Sequence, residues 1–363
     1  MAQSAASTTI PLARREAAGR LADGTPVEAV TLSNRHGLSA RILTYGATLQ
    51  ALLVPDADGV PADIVLGHDD VAGYEATRGF LGVTVGRYAN RIAGGRLVLD
   101  GVPHHLTRND GDNTLHGGRG FDQAVWTIAA LDTRSPASVV LQHISADGDD
   151  GFPGEVTARV TYTLHDDGDL AITFTATTTR STVVNLTNHA LFDLAGEDAA
   201  QDAMSHRLTI AAALYTPVDP ALIPTGELRA VAGTPFDFRT PRTLAEGVRN
   251  GDAQISIGRG YDHNFVLDKG MTAEPRLAAR LEHPVSGRRL DVLTTEPGLQ
   301  LYTANGFDGS VRGKRGRLYR KGDGIALEPQ KFPDTPNRPA FGSARLDPGE
   351  TYRHAMIYRL SLL

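Results

Sequence analysis

The chain is 363 residues long, 41% apolar and 21% charged, with 39 glycines, 20 prolines and no cysteine. That apolar content sustains a large core and excludes wholesale disorder, and so many breakers exclude a fold of long helices. A net charge of −6, from 36 Lys and Arg against 42 Asp and Glu, disfavours wrapping a phosphate backbone, and the lack of cysteine excludes thiol catalysis, disulfides and cysteine-held metal sites.

The N-terminal stretch MAQSAASTTIPLARREAAGR has no apolar signal core. An ordinary cytoplasmic start is the simpler expectation. A small polar start also fits an exported chain whose leader has been removed. Residues 1–25 are expected to form a poorly ordered segment. No apolar run reaches the ~18 residues of a membrane helix, so no membrane span is expected.

From there the period is two. VEAVTL, ARILTY and TLQALLV read as successive strands. RLVLDGVPHHL reads as a hairpin, with Asp100-Gly101 supplying the positive-φ turn. SVVLQHI follows. Then Val156, Ala158, Val160, Tyr162 and Leu164 alternate with polar residues, Asp166-Asp167-Gly168 turns the chain, and Leu170, Ile172, Phe174 and Ala176 resume the alternation. This is a second hairpin with one buried face. Further strands are TVVNLT, HRLTIAA, HNFVLD, RLDVLTT, LQLYTA, GIALEP and YRHAMIYRL. The clearest helical signal is short: PRTLAEGV from Pro241. Length alone would allow about two domains at ~150 residues each. The unbroken succession of strands, with no linker and no fixed-period repeat, argues instead for one all-β antiparallel sandwich over residues 1–363.

Common catalytic machinery is missing. The pairs Gly118/Gly120, Gly258/Gly260 and Gly322/Gly324 lack the third glycine of a dinucleotide fingerprint. There is no phosphate loop, no GxSxG elbow and no HExxH helix. Of the 12 histidines, none forms a zinc-type spacing with a third ligand. His104 and His105 are adjacent on a strand and point to opposite faces. No metal and no cofactor are expected.

Five polar clusters interrupt strands where turns do not require it: GRYANRIAGG, NTLHGG, NLTNHALFDL, YDHNF and LEPQKFPDTPN. Gathered on one sheet face, they would offer planar donors and acceptors suited to the hydroxyls of a neutral sugar. They also hold a carboxylate and an imidazole, groups fit to move protons near pH 7. Each residue alone has a structural explanation. His189 could be a satisfied core histidine, Asp262 a turn or cap residue, Arg91 an ion-pair member and His116 the opening of a turn. Glu328 is different, because an inward carboxylate in GIALEPQ is costly without a purpose or a partner.

In combination and in order, GRYANRI, NTLHGG, NLTNHALFDL, YDHNF, TTEPGLQLYTAN and LEPQKFPDTPN resemble the signatures of the aldose 1-epimerases, the galactose mutarotase family, from about Val27 to Arg359. The resemblance implies a galactose mutarotase-like supersandwich. It implies Glu328 as catalytic base and His189 as catalytic acid. It implies Asn90, Arg91, His116 and Asp262 as contacts to sugar hydroxyls, with Glu296 of TTEPG ranked lower. The substrate would be a small monosaccharide, with no nucleic-acid or membrane partner, and the protein a monomer or homodimer. Anomers would interconvert by ring opening, rotation about C1–C2 and reclosure.

Three other readings compete. A hexose 6-phosphate mutarotase would need a phosphate-binding cluster. Arg312 to Lys321 holds six Lys or Arg in ten residues, although a solvated basic hairpin is the simpler reading. A non-catalytic sugar-binding sandwich would not need both Glu328 and His189. A glycoside hydrolase would normally need two carboxylates.

Overall fold

In the computed structural model, which describes residues 12–363, the period-two segments pair into three larger antiparallel sheets and several two-stranded ribbons. The first sheet is a meander of Ala13–Arg20, Pro26–Ser33, Ser39–Leu43, Leu49–Pro55 and Pro61–Asp63. Part of the expected loose N-terminal segment is therefore corrected: residues 13–20 pair with residues 26–32. Residues 1–11 lie outside the described residues.

A nine-stranded sheet runs Thr127–Asp132, Ala137–Ser145, Val156–Leu164, Asp169–Thr178, Tyr352–Leu362, Arg288–Thr294, Arg276–His283, Arg207–Ile210 and Arg242–Thr243. The C-terminal strand is inserted mid-sheet, between Asp169–Thr178 and Arg288–Thr294. The expected hairpin forms here, with Leu164 opposite Leu170. The Arg96–Leu99/Val102–His105 hairpin also forms, on Asp100 at φ 51° and Gly101 at φ 78°. The helical signal at Pro241 shrinks to Leu244–Val248, capped by a Thr243/Glu246 box.

The third sheet places the site. Its order is Leu191–Phe192, Ile325–Gln330, Gly298–Tyr302, Asp262–Val266, Leu214–Tyr215 and Arg229–Ala230. Leu299, Leu301, Ile325, Leu327 and Phe265 face the main core, which also takes Val160, Ile172 and Met356 from the nine-stranded sheet and Val30 and Ile42 from the first. Each fully buried aliphatic side chain contributes about 1.5–3 kcal/mol. Alternation then obliges Asp262, Gln300, Tyr302 and Glu328 onto the opposite face. The register sets Asn264, Gln300 and Glu328 in one rung, and Asp262, Tyr302 and Ala326 in the next. No helix among the described residues is long and apolar enough to cross a membrane.

The basic stretch forms the expected hairpin with Arg312, Arg315, Arg320 and Lys321 exposed, and departs from it at Lys314. Asp308–Arg312 and Leu318–Arg320 do pair, but the link between them is pinned inward. Lys314 is buried, with Nζ 2.7 Å from Asp63 Oδ2 and donating to the Val65 carbonyl. Arg315 pairs with Asp198, and Arg317 binds the Glu197 carbonyl and Asp323. Lys314, which finds a carboxylate and a carbonyl inside, is what fixes the loop, while the Arg315–Asp198 pair is exposed.

Candidate active site

A cavity of about 550 Å³, a normal size for a small-molecule site, opens on the polar face of the third sheet. Glu328 and Asp262 rise from its strands. His189 arrives from a separate segment. Its backbone N–H donates to the Val83 carbonyl and its carbonyl accepts from Gly82, both at 2.9 Å. Immediately downstream, Leu191 pairs with Ala326. These two pairings deliver the imidazole to Glu328, with Nε2 3.6 Å from Oε1. Glu328 Oε2 and His189 Nδ1 are buried without a protein partner.

Asn90, Arg91 and His116 form the opposite wall. Asn90 (φ 68°) and His116 (φ 52°) both sit in left-handed backbone. They are tied reciprocally: Asn90 N–H donates to His116 Nδ1 at 3.1 Å, and His116 N–H to the Asn90 carbonyl at 3.1 Å. The glycine after His116 has a steric reason. A Cβ on Gly117 would lie 2.1 Å from the Gly86 carbonyl oxygen. Arg91 donates from Nε to Asp110 at 2.7 Å and reaches Asp262 at 3.7 Å. Gln300 Nε2 holds the other Asp262 oxygen at 2.6 Å. The His116 and His189 rings meet edge-on, 5.4 Å apart.

Burial governs the electrostatics. It pushes Glu328 well above the usual carboxylate range, and the nearby Asp262 charge adds to this while Arg91 opposes it. Burial also pulls His189 down to about 4, and pulls His116 well below its ordinary value. Asp262 rises through burial, held back by Arg91 and Gln300. Burial thus strengthens proton binding at Glu328 and weakens it at the adjacent His189, which suits the pair to take one proton and give another. His116, His189 and Glu328 bring ligand atoms within 4.8 Å of one another, the one group among the described residues able to hold a metal ion.

The aldose 1-epimerase family model matches residues 28–359. The chain belongs to the aldose 1-epimerase family. Such an enzyme is an isomerase that interconverts the α and β anomers of free aldoses. The human galactose mutarotase is 44% identical over 326 residues, covering 90% of this chain and 92% of that protein. The aldose 1-epimerase of Escherichia coli K12 is 38% identical over 340 residues, covering 93% and 96%. Among solved structures, the galactose 1-epimerase of Lactobacillus acidophilus superposes with TM-score 0.86 at 31% identity, covering 97% of this chain and 99% of that one. An aldose epimerase homologue from C. elegans gives 0.84 at 33%, covering 92% and 99%.

Six of the seven expected residues line this epimerase's cavity: Asn90, Arg91, His116, His189, Asp262 and Glu328. Glu296 does not. It is buried against Lys331 Nζ at 3.3 Å and the Tyr352 hydroxyl at 3.5 Å, so its carboxylate is spent on a local ion pair. Part of the asparagine inventory is also structural. Asn188 binds the Gly82 carbonyl and the Tyr162 hydroxyl, and Asn185 brackets Lys331 through its carbonyl and N–H. Asp334 of FPDTPN accepts from Ala93 N–H, while its own N–H donates to the Arg91 carbonyl. That motif clamps the arginine wall to the Glu328 strand. Sequence reasoning missed Gln300, Tyr302 and Phe80. The alternation in LQLYTA could have found the first two, since they alternate with core-facing Leu299 and Leu301 and so share the face of Glu328.

Proposed function

We propose that Glu328 and His189 open and reclose the pyranose ring of a monosaccharide such as galactose or glucose. The single observation that carries the reading is the 3.6 Å approach of His189 Nε2 to Glu328 Oε1, with both groups buried at the cavity. Glu328 takes the proton from the anomeric hydroxyl, C1–O5 breaks, and His189 gives its proton to O5. The products are an open-chain aldehyde, a neutral carboxylic acid and a neutral imidazole. Rotation about C1–C2 presents the other carbonyl face, and the same two protons return. Each positioned acid or base contributes about 10²–10⁴-fold.

The electrostatics fit this cycle. Burial disfavours the carboxylate–imidazolium arrangement that starts the reaction and favours the neutral pair that accompanies the open chain. An anomeric hydroxyl donating to Glu328 and a ring oxygen accepting from His189 stabilise the charged arrangement only when sugar is bound. Arg91, Asp262, Asn90 and His116 hold hydroxyls away from C1 so that C1 can turn. These groups come from residues 90–116, 189, 262 and 328, so no cut leaves a complete site. This supports reading the chain as one functional unit.

Hexose 6-phosphates are the weaker reading. Within the basic stretch Lys314, Arg315 and Arg317 pair with Asp63, Asp198 and Asp323, and the cavity's Arg78 and Arg91 pair with Asp122 and Asp110, which leaves Arg259 at the exposed rim as the lining arginine with no ion pair among the described residues. Polarimetry on freshly dissolved α-galactose and α-glucose tests the proposal, with glucose 6-phosphate compared alongside. Full activity in folded Glu328→Gln and His189→Asn proteins would refute the roles.

A further inference from the structure

One aromatic in the cavity wall is held in a costly conformation by its own clamp. Phe80 follows the turn Thr77–Gly79 and adopts φ 54°, a left-handed geometry that bulky residues avoid unless their surroundings impose it. The surroundings are specific. The Arg78 guanidinium carbon lies 4.8 Å from the Phe80 ring centroid. Arg78 is itself fixed by two hydrogen bonds of 2.9 Å to Asp122 and by the Gly118 and Arg119 carbonyls. On its other side the Phe80 ring packs 4.7 Å from His116 and 5.9 Å from His189. The two imidazoles contact each other, and Tyr302 closes on His189 at 6.1 Å.

We propose that Phe80 is a positioning residue: seated on the Arg78 guanidinium, its ring sets the orientation of His116 and His189 toward Glu328 and keeps water from both imidazoles. The reasoning is geometric. The cavity lining also includes the apolar Leu115, Leu222, Ile257, Phe307 and Val311, but the phenyl and phenol rings packed on the imidazoles themselves are those of Phe80 and Tyr302. His189 Nδ1 has no protein partner, so ring packing must hold the imidazole plane. Arg78 is also better placed to hold Phe80 than to meet the sugar, because its Nε and Nη2 already donate to Asp122 and two carbonyls.

The inference rests on His189 acting as a proton carrier, and its test separates the two claims. Histidine-labelled wild type, Phe80→Ala, Phe80→Leu and Phe80→Tyr proteins are titrated by NMR without sugar, the His116 and His189 signals being assigned by their loss in single variants. Circular dichroism and Trp126 fluorescence confirm folding. If Phe80→Ala does not fold, Phe80→Leu, which keeps bulk without a flat ring, carries the test. Removing the ring admits water, so the His189 midpoint moves upward from about 4, by about one unit, while Phe80→Tyr titrates as wild type. In polarimetry the acid limb of the kcat/KM profile moves upward with it. The kcat falls about tenfold or more with KM changed less than about threefold, because geometry for proton transfer is lost but hydroxyl contacts remain. Unmoved titrations in both Phe80→Ala and Phe80→Leu overturn the proposal. So does a Phe80→Tyr protein as impaired as Phe80→Ala, or a loss confined to KM. A wild type without mutarotation removes the proposed function, and the titrations still decide the role of Phe80.

Discussion

A His189→Asn substitution should make the protein relatively more stable as the pH falls, by an amount the burial of the imidazole fixes. In the fold His189 binds its proton at about 4, against 6.5 for a free imidazole. Between those values the unfolded chain takes up a proton that the folded chain refuses. The stability His189 permits is therefore complete above pH 6.5 and is lost as the pH falls toward 4. At pH 5 the unfolded chain is 1.5 units below its midpoint and the folded site is still mostly unprotonated. At about 1.4 kcal/mol per unit, the penalty is about 2 kcal/mol. Asparagine has no such proton.

Urea unfolding of wild type and His189→Asn at pH 7 and pH 5 yields four stabilities. The wild-type minus variant difference should fall by about 2 kcal/mol between the two conditions. Lost packing or hydrogen bonding in the variant is the same at both pH values and cancels. His206 and His263, both pulled to about 3 by burial, weaken both proteins alike in acid and also cancel. Activity of the variant at pH 7 should drop by about 10²–10⁴-fold. A difference that changes by less than about 0.5 kcal/mol would refute the claim that the imidazole is held neutral by desolvation, and with it the account of the charged starting state.

Other outcomes follow from the same contacts. Gln300→Leu strips Asp262 of its 2.6 Å donor; leaving a buried charge short of a hydrogen bond costs about 1.5–3 kcal/mol. KM in polarimetry should rise about tenfold or more, and an unchanged KM would remove Asp262 from sugar binding. Gly117→Ala forces a Cβ to 2.1 Å from the Gly86 carbonyl at φ 79°. The backbone must shift, so stability should fall by more than about 2 kcal/mol in urea titration, with activity reduced in the folded fraction. Lys314→Met removes the cation from a buried pair with Asp63. It should destabilise by about 3–5 kcal/mol and leave KM for galactose within error; a selective loss of glucose 6-phosphate turnover would instead revive the phosphate reading.

Much of the fold was legible because a half-buried strand must alternate. Val156–Leu164 and Asp169–Thr178 pair in the register that the alternation implies. The strands Ala13–Arg20, Thr127–Asp132 and Arg276–His283 went unread. The first two are largely exposed, and the last carries exposed Leu277 beside buried Ala278 and Ala279. With little burial, or with a bulge that breaks the period, the pattern has nothing to reveal. Glu328 was legible for the converse reason, since a carboxylate on the strand of core Ile325 and Leu327 has to be either paired or used. Glu296 came only from the resemblance of TTEPG to the family's motif and was ranked lower, and a motif match does not reveal that its carboxylate is taken by Lys331.

Where a strand is half buried, the sequence by itself determined that it exists, which of its side chains face the core and therefore which polar residues lie on its other face: alternation is a local property of the backbone. It also determined the chemistry on offer, one carboxylate and one imidazole without thiol chemistry. Only the tertiary structure decided that His189, 139 residues before Glu328 in the chain, comes to 3.6 Å from it. That distance depends on Leu191 pairing with Ala326 and on the His189 backbone pairing with residues 82 and 83. The same pairings remove water from both groups. Their proton affinities, and the charged ground state that the bound sugar must stabilise, are consequences of burial, and burial depends on which distant segments pack together.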